Sequence, residues 1–211
     1  MTTHKYETHL HTAETSKCAL SSGPEFARFF KARGYSGIFV TDHFLNGNTT
    51  VPQNLPWPQR IDLFCRGYDA AAREGAAVGL DVFFAWEYSY GWAHFLTYGL
   101  DKQWLLDHPD LLDWHVLDYF DRVHADGGFI VHAHPFRENV DLVHLVPNKT
   151  DAVETINPNR PDLANYQAQQ FAAAFNLPQT AGSDIHATNQ SPPPPPTTPP
   201  PLTHPRPPPP P

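Results

Sequence analysis

Short apolar segments alternate with longer amphipathic segments along most of this chain. The apolar segments predict seven β-strands, at residues 6–12, 37–43, 81–90, 94–100, 128–134, 152–157 and 179–186. Strands that alternate with helices pair in parallel through crossover connections. Several of the strands are apolar throughout, which is typical of strands covered on both faces. We therefore expect an α/β fold, either a barrel or an open doubly wound sheet.

Four amphipathic segments predict the helices between these strands. The first begins at Ser22-Gly-Pro-Glu25, which is either a capping box or a Gly23 cap with Pro24 in the first turn, and closes at Gly34. The others cover residues 59–79, 110–126 and 162–176. No glycine-rich phosphate loop of either common type follows a predicted strand. The usual nucleotide-binding versions of an α/β fold therefore have no support.

The charge balance limits the partners of the chain. Its 211 residues carry 14 basic and 22 acidic side chains, for a net charge of −8. Nucleic-acid binding needs a basic surface, so we expect no nucleic-acid partner. The two cysteines, Cys18 and Cys65, form no CxxC motif and predict reduced thiols. With no apolar run of membrane-spanning length and no signal peptide, we expect a cytoplasmic protein without a membrane partner.

The last 21 residues differ from the rest. Residues 191–211 hold 14 of the 24 prolines and predict a polyproline II segment without a core. We expect one domain over residues 1–190 and a low-complexity tail over 191–211. The tail is either a weak docking segment for a proline-binding partner or a spacer or non-native end.

Histidines and carboxylates lie at or near the end of every predicted strand except the sixth. These residues are His9 and His11, His43, Glu87, His94, His132 and His134, and Asp184 and His186. The carboxyl ends of parallel strands converge on one face of the fold. Residues two apart on a strand share a face, so His9 and His11 can bind one ion. Nitrogen and carboxylate donors of this kind favour Zn, Mn or Fe.

The order of these motifs resembles the PHP family, named for polymerase and histidinol phosphatase. The resemblance covers about residues 5–187 and includes HLHT at 9–12, TDH at 41–43, Glu87, HFLTYGL from 94, HAHPFR from 132 and AGSDIH from 181. It implies a distorted TIM-like (βα)7 barrel of parallel strands. It also implies two or three divalent metal ions at the strand ends and the hydrolysis of phosphate esters.

The resemblance also assigns metal ligands. The first ion is expected on His9, His11, Glu87 and Asp184, the second on Glu87, His94 and His134, and the third on His43 and His186. Some members place a further histidine or aspartate where this chain has Ser16 and Lys17, and Glu14 is the predicted substitute. His132 is expected either to support a neighbouring ligand or to be structural, and Asp42 is expected to orient a neighbouring histidine by accepting its N–H.

The expected reaction is hydrolysis of a small phosphorylated metabolite, a phosphomonoester or small phosphodiester, through a metal-bound hydroxide. Arg137 and Arg160 are candidates to clamp the phosphate. Glu87, Asp184 and His186 complete the predicted catalytic set, although a metal-bound histidine cannot act as a general acid. Two alternatives stay open. One is a related metal-dependent hydrolase of C–N bonds, and the other is a non-catalytic metal-binding or interaction module.

Overall fold

The computed structural model describes residues 4–137 and 140–190, so the predicted tail at 191–211 lies outside the described residues. All seven predicted strands are present and form one sheet in chain order. They are β1 (Tyr6–Leu10), β2 (Gly37–Val40), β3 (Asp81–Tyr90), β4 (Ala93–Tyr98), β5 (Phe129–Ala133), β6 (Ala152–Ile156) and β7 (Gln179–Ala181). A parallel bridge between Leu10 and Ile185 joins the two edges. The fold is therefore a distorted, TIM-like α/β barrel.

One strand departs from the expected parallel arrangement. β4 pairs antiparallel with both β3 and β5, and the other neighbouring strands pair in parallel. β3 and β4 are joined by Gly91 and Trp92, and Gly91 takes a positive φ of 57°. A connection this short makes a hairpin, because a parallel return needs a crossover of a dozen or more residues. The reversal brings His94, at the start of β4, level with the carboxyl ends of its neighbours.

Six α-helices cover the sheet in the described part of the chain. They are α1 (Gly23–Ala32), α2 (Trp57–Phe64), α3 (Arg66–Val78), α4 (Lys102–Asp107), α5 (Val116–Ala125) and α6 (Asp162–Ala174). The helix predicted at 59–79 is two helices that meet at Cys65. Most of the segment predicted at 110–126 is α5, preceded by a 3₁₀ turn at Leu111–Asp113, and α4 was not predicted. Among the described residues, no helix is both long and apolar enough to cross a bilayer.

A helix cap and a hydrogen-bonded aromatic core stabilise the barrel. The predicted capping interaction is present, since the Glu25 carboxylate accepts the Ser22 N–H at 2.7 Å. Aromatic side chains fill the layer between sheet and helices, where Trp86 Nε1 donates to Tyr119 Oη at 2.8 Å. Tyr119 Oη also lies 2.6 Å from Thr97 Oγ1, so the buried polar atoms there are satisfied.

Candidate metal centre

Alternation along β1 directs a row of polar side chains into the barrel. Glu7, His9 and His11 are each at most 2% exposed and lie two residues apart, whereas Leu10 packs in an apolar cluster with α1. Successive side chains of a strand point to opposite faces, so one face of β1 supplies only ionisable groups. Burying such groups without partners is costly, and each of them has close polar neighbours.

Four of the predicted ligands converge at the carboxyl end of the barrel. His9 Nε2 lies 3.1 Å from His11 Nε2, 3.4 Å from Glu87 Oε1 and 3.5 Å from Asp184 Oδ1. His11 Nε2 lies 3.2 Å from the same Asp184 oxygen. Ligand atoms around a tetrahedral zinc ion, with bonds of about 2.0–2.1 Å, are separated by about 3.3 Å. The spacing of these donor atoms therefore fits a divalent metal ion.

Glu87 connects this group to the other predicted ligands. Its Oε1 lies 2.8 Å from His94 Nδ1 and 3.4 Å from His134 Nε2, and its Oε2 lies 2.5 Å from His43 Nδ1. Glu87 Oε2, His43 Nδ1 and His134 Nε2 are nevertheless buried without a hydrogen-bond partner, because their alignment is poor. Buried polar atoms that converge without hydrogen bonding suit a bound cation, which all three could share.

A second cluster of imidazoles lies beside the first. The His11 ring stacks on His43 and His186 with centroid distances of 4.3 and 4.6 Å. Donor atoms of all three rings lie within 4.8 Å of one another, as metal ligands do. Cys18 also interacts with His186 and His43. Burial raises the pKa of the Cys18 thiol, but these two imidazoles outweigh it and lower the pKa to about 6. The sequence analysis had not selected Cys18.

Two of the predicted ligands have strained backbones. His134 and Asp184 have positive φ angles of 29° and 50°, which non-glycine residues rarely adopt. Strain of this kind persists where the surrounding structure requires it, most often at functional sites. His134 follows the last residue of β5 and turns into the cluster, whereas His132 packs between Phe95 and Phe171. The two histidines therefore do not share a face, and His132 has a structural position, as expected.

Glu154 on β6 is a site residue that the sequence analysis missed. Its Oε1 lies 2.8 Å from His9 Nδ1, and its Oε2 accepts the His134 N–H at 3.1 Å and Asn157 Nδ2 at 2.9 Å. Because the Glu154 carboxylate engages Nδ1 of His9, the other ring nitrogen, Nε2, is directed at the neighbouring ligand atoms and can bind a metal ion. The sixth strand was expected to contribute no histidine or carboxylate to the site. The structure shows that it contributes Glu154, which orients His9.

Asp42 is linked to the histidines through the side chain of Ser16. Its carboxylate accepts the Thr12 N–H at 2.6 Å, the Thr12 hydroxyl at 2.6 Å and the Ser16 hydroxyl at 2.7 Å. Ser16 Oγ in turn lies 3.4 Å from His11 Nδ1 and accepts the His43 N–H at 3.1 Å. Asp42 was expected to accept directly from an imidazole. The structure shows instead that it fixes the loop that carries Ser16.

Glu14, the predicted substitute ligand, is not brought to the cluster. Its two carboxylate oxygens accept the Gly23 N–H at 3.2 and 3.0 Å, at the start of α1. Carboxylates are favoured at this end of a helix because its first N–H groups lack partners within the helix. The structure therefore places Glu14 in helix capping, where its carboxylate does not join the imidazole cluster.

Both candidate arginines lie at the rim of the cluster. Arg160 Nη2 donates to Asp184 Oδ2 at 2.5 Å, while Asp184 Oδ1 faces His9 and His11. Arg160 Nε is buried and has no hydrogen-bond partner among the described residues. Arg137 Nη1 lies 3.4 Å from His94 Nδ1. The two guanidinium groups therefore border the ion positions from the loops after β6 and β5.

Charges within the cluster compensate one another. Burial alone would raise the pKa of the Glu87 carboxyl, but His94 and His43 hold that pKa well below its usual range. Burial likewise disfavours charge on His43, yet Glu87 raises its pKa to about 10. For His11, burial and the neighbouring His43 lower the pKa well below its usual value. Without an ion, protons on selected imidazoles balance the carboxylates, so protons and metal ions compete for the same atoms.

Glu7 allows a test of the buried charges that does not depend on catalysis. Burial raises the pKa of Glu7 to about 7, although Glu7 Oε1 accepts the N–H groups of His9 and Ser183, each at 2.9 Å. Because the folded-state pKa lies above the unfolded value, stability falls as the pH rises from about 4.5 to about 7. The substitution Glu7→Gln keeps an acceptor oxygen and removes this ionisation.

We expect metal-free Glu7→Gln to exceed the wild type by up to about 3 kcal/mol in free energy of unfolding at about pH 8, with little difference at about pH 4. Denaturant titration in the presence of a chelator measures both values. A difference that is equal at the two pH values would show that Glu7 does not titrate as its burial requires.

These observations define a class of protein. A mostly parallel α/β barrel carries buried imidazoles and carboxylates at one end, and the donor groups suit divalent metal ions. The same fold occurs in a solved structure that contains a predicted PHP-like metal-dependent phosphoesterase, in agreement with the motif resemblance, and in a second structure described as a metal-dependent phosphoesterase. No family model and no curated protein matches the sequence.

Three solved structures illustrate the likeness. A two-domain protein from Bacteroides vulgatus ATCC 8482, which contains a predicted PHP-like metal-dependent phosphoesterase, has a TM-score of 0.63 and 20% identity over 89% of this chain. The chain spans 53% of that protein. A protein from Bifidobacterium adolescentis ATCC 15703, provisionally assigned as a metal-dependent phosphoesterase, has a TM-score of 0.56 and 14% identity over 90% of this chain and 91% of that one.

The third is an amidohydrolase from Chromobacterium violaceum, solved with bound sulfate and no metal. It has a TM-score of 0.57 and 14% identity, and the match covers 88% of both chains. Identities this low establish a shared fold and leave the reaction to be argued from the site itself.

Proposed function

We propose that the protein is a metal-dependent hydrolase, and specifically a phosphoesterase that acts on a small phosphorylated metabolite. The observation that carries this proposal is the position of Glu87. Its two carboxylate oxygens face different sets of imidazoles, with His94 and His134 on one side and His43 on the other. A carboxylate placed in this way can be shared by two neighbouring ions.

The donor groups would hold the ions in the sets that the resemblance assigns. His9, His11, Glu87 and Asp184 would hold one ion, and Glu87, His94 and His134 a second. When bound, such ions act as Lewis acids toward a phosphate oxygen and lower the pKa of a water molecule. Zn, Mn and Fe all accept these nitrogen and oxygen donors.

The arginines supply the contacts expected for a phosphate. Arg160 is fixed by Asp184 and keeps a buried Nε donor without a partner among the described residues. Arg137 lies beside His94 in the same cluster. Guanidinium groups favour phosphate oxygens because they can donate two parallel hydrogen bonds. The presence of two arginines beside the cluster supports a phosphate ester as the substrate more than it supports a neutral amide.

The net charge supports a small substrate. At −8, the chain repels polyanions at long range. Divalent cations in the cluster would reverse the field locally, over the short distance that a small phosphate ester occupies. No cysteine or serine nucleophile is required, because the residues around Glu87 are arranged to hold ions and to leave water as the attacking group.

A second candidate function follows from the comparisons. The likeness to an amidohydrolase favours hydrolysis of a C–N bond as the alternative, since such enzymes can use similar donor groups on the same fold. The two reactions are separated by substrate. A phosphoesterase needs groups that bind a tetrahedral dianion, and an amidohydrolase needs a site for a planar amide.

The test compares two substrates on purified protein reconstituted with Mn or Zn. We expect hydrolysis of p-nitrophenyl phosphate that requires the added ion and stops when a chelator removes it. Asp184→Ala and His9→Ala should lose bound metal and nearly all turnover. Faster hydrolysis of a cyclic amide would overturn the proposal in favour of the alternative. Failure to bind any ion after reconstitution would favour a non-catalytic module.

A further inference from the structure

The hydroxyl group of Ser16 connects two of the candidate metal ligands to a buried carboxylate. Ser16 Oγ donates to Asp42 Oδ1 at 2.7 Å, accepts the His43 N–H at 3.1 Å and lies 3.4 Å from His11 Nδ1. All four residues are buried, so bulk water does not compete for these contacts. The direction of each hydrogen bond therefore follows from the donors and acceptors that the side chains themselves provide.

The hydrogen atom of the Ser16 hydroxyl is committed to Asp42. An ionised carboxylate can only accept, and Asp42 also accepts the N–H and the hydroxyl of Thr12, each at 2.6 Å. Helix α3 packs directly on this carboxylate, because a Cβ atom added at Gly67 would lie 2.6 Å from Asp42 Oδ2. Thr12, Ser16 and α3 thus fix the carboxylate, which in turn holds the Ser16 hydroxyl in one orientation.

This orientation determines what His11 must present to Ser16. A hydroxyl group has one hydrogen to donate and two lone pairs with which to accept. Since its hydrogen points at Asp42, Ser16 Oγ can only accept from the His11 ring. The hydrogen atom of a metal-bound His11 ring therefore lies on Nδ1, and Nε2 carries the lone pair.

We propose that Ser16 is a positioning residue that directs Nε2 of His11 to the first metal ion. His11 Nε2 lies 3.1 Å from His9 Nε2 and 3.2 Å from Asp184 Oδ1, which are ligand atoms expected for that ion. Ser16 thereby does for His11 what Glu154 does for His9, with a hydroxyl group as the acceptor in place of a carboxylate.

The proposal also settles how His11 is shared. By distance His11 belongs to two groups of donor atoms, one with His9 and Asp184 and the other with His43 and His186. An imidazole that carries a hydrogen on one nitrogen has a single donor atom left. We therefore assign His11 to the first ion alone. This assignment rests on the proposed metal-dependent function and deepens it, because it specifies the ligand atom and the residue that selects it.

Nuclear magnetic resonance of the zinc-loaded full chain tests the assignment directly. Long-range ¹H–¹⁵N correlation spectra of the isotope-labelled protein distinguish the ring nitrogen that carries hydrogen from the one that binds zinc. We expect hydrogen on Nδ1 of His11 and zinc on Nε2. The wild-type spectrum alone is decisive, so the test does not depend on a variant that folds poorly.

The substitution Ser16→Ala tests the same role through affinity. It removes the acceptor of the His11 ring and of the His43 N–H, so we expect zinc affinity to fall about 10–100-fold in titrations against a competing chelator. The matched control is Ser21→Ala, which should bind zinc like the wild type. Ser21 is a buried serine of the same loop, and its hydroxyl pairs with Thr188 instead of a candidate ligand.

The variant Asp42→Asn asks whether an acceptor or a negative charge holds the hydroxyl. The Thr12 N–H cannot reverse, so the amide oxygen should stay at the Oδ1 position, where Ser16 also donates. The amide nitrogen can then donate to the Thr12 hydroxyl, which is free to turn. We expect the hydrogen to remain on Nδ1 of His11 in this variant.

The outcomes separate the role of Ser16 from the proposed function. Zinc bound through Nδ1 of His11 overturns the role of Ser16 and leaves the proposed function standing. Equal zinc affinities of Ser16→Ala and the wild type, or equal losses in Ser16→Ala and Ser21→Ala, do the same. Absence of any bound ion in the wild type contradicts both proposals.

Discussion

Replacing Glu87 with glutamine should lower kcat/KM for phosphate esters by about a thousandfold, which corresponds to about 4 kcal/mol of transition-state stabilisation. Glu87 is fully buried and is the one described carboxylate whose oxygens face His94, His134 and His43 together. A glutamine side chain presents an N–H group where one of these oxygens stands. It therefore removes the anionic bridge between two ion positions without changing the volume.

Elemental analysis after gel filtration and kinetics on the same sample test this expectation. Glu87→Gln should retain less metal than the wild type at both positions that share the carboxylate. Glu74→Gln is the matched control, because Glu74 is a carboxylate on α3 that pairs with Arg28 at the surface. A Glu87→Gln protein with full metal content and full turnover would remove the basis of the proposed function.

Glu154→Ala should weaken metal binding about 10–100-fold, although Glu154 is not among the predicted ligands of any ion. The substitution removes the carboxylate that orients His9 through Nδ1. It also leaves the His134 N–H and the Asn157 amide without their acceptor. In the metal-free protein we expect a further loss of about 3–5 kcal/mol of stability, because a buried charged pair is broken on one side.

The substitution Glu154→Gln separates the orientation of His9 from the negative charge of the Glu154 carboxylate. It keeps an acceptor oxygen for His9, so metal affinity should recover in large part while the metal-free protein remains destabilised. Zinc titration against a competing chelator measures the affinity, and denaturant titration measures the stability. If Glu154→Ala binds zinc as tightly as the wild type, then Glu154 does not position His9.

The sequence predicted the seven strands and the side chains at their ends because both depend on local pattern, whereas the choice of a barrel over an open sheet came from the motif resemblance. Apolar runs marked all seven strands, and side-chain alternation placed His9 and His11 on one face. Glu7 could have been found by the same rule, since it lies two residues before His9 on β1. The reversal of β4 was not predicted, although the short Gly91-Trp92 connection was a readable signal for a hairpin.

The remaining differences depend on tertiary contacts. The position of Cys18 depends on hydrogen bonds from its loop to Asn48 and His186, which no local pattern reveals. The Glu14 carboxylate accepts the Gly23 N–H at the start of α1, which requires the loop after β1 to lie against that helix. Glu154 lies in the middle of β6, and only the packed barrel shows that it faces His9.

The contact between β1 and the segment after β7 has a consequence for how the protein folds during synthesis. His9 lies on the first strand, while Asp184 and His186 follow the last, and the Leu10–Ile185 bridge joins the two. A nascent chain therefore cannot assemble two of the three proposed ion positions until its final strand has left the ribosome. If the proposed ions bind, their uptake follows ring closure, and starvation for the cation should leave this junction as the first place to open to proteases or to hydrogen exchange.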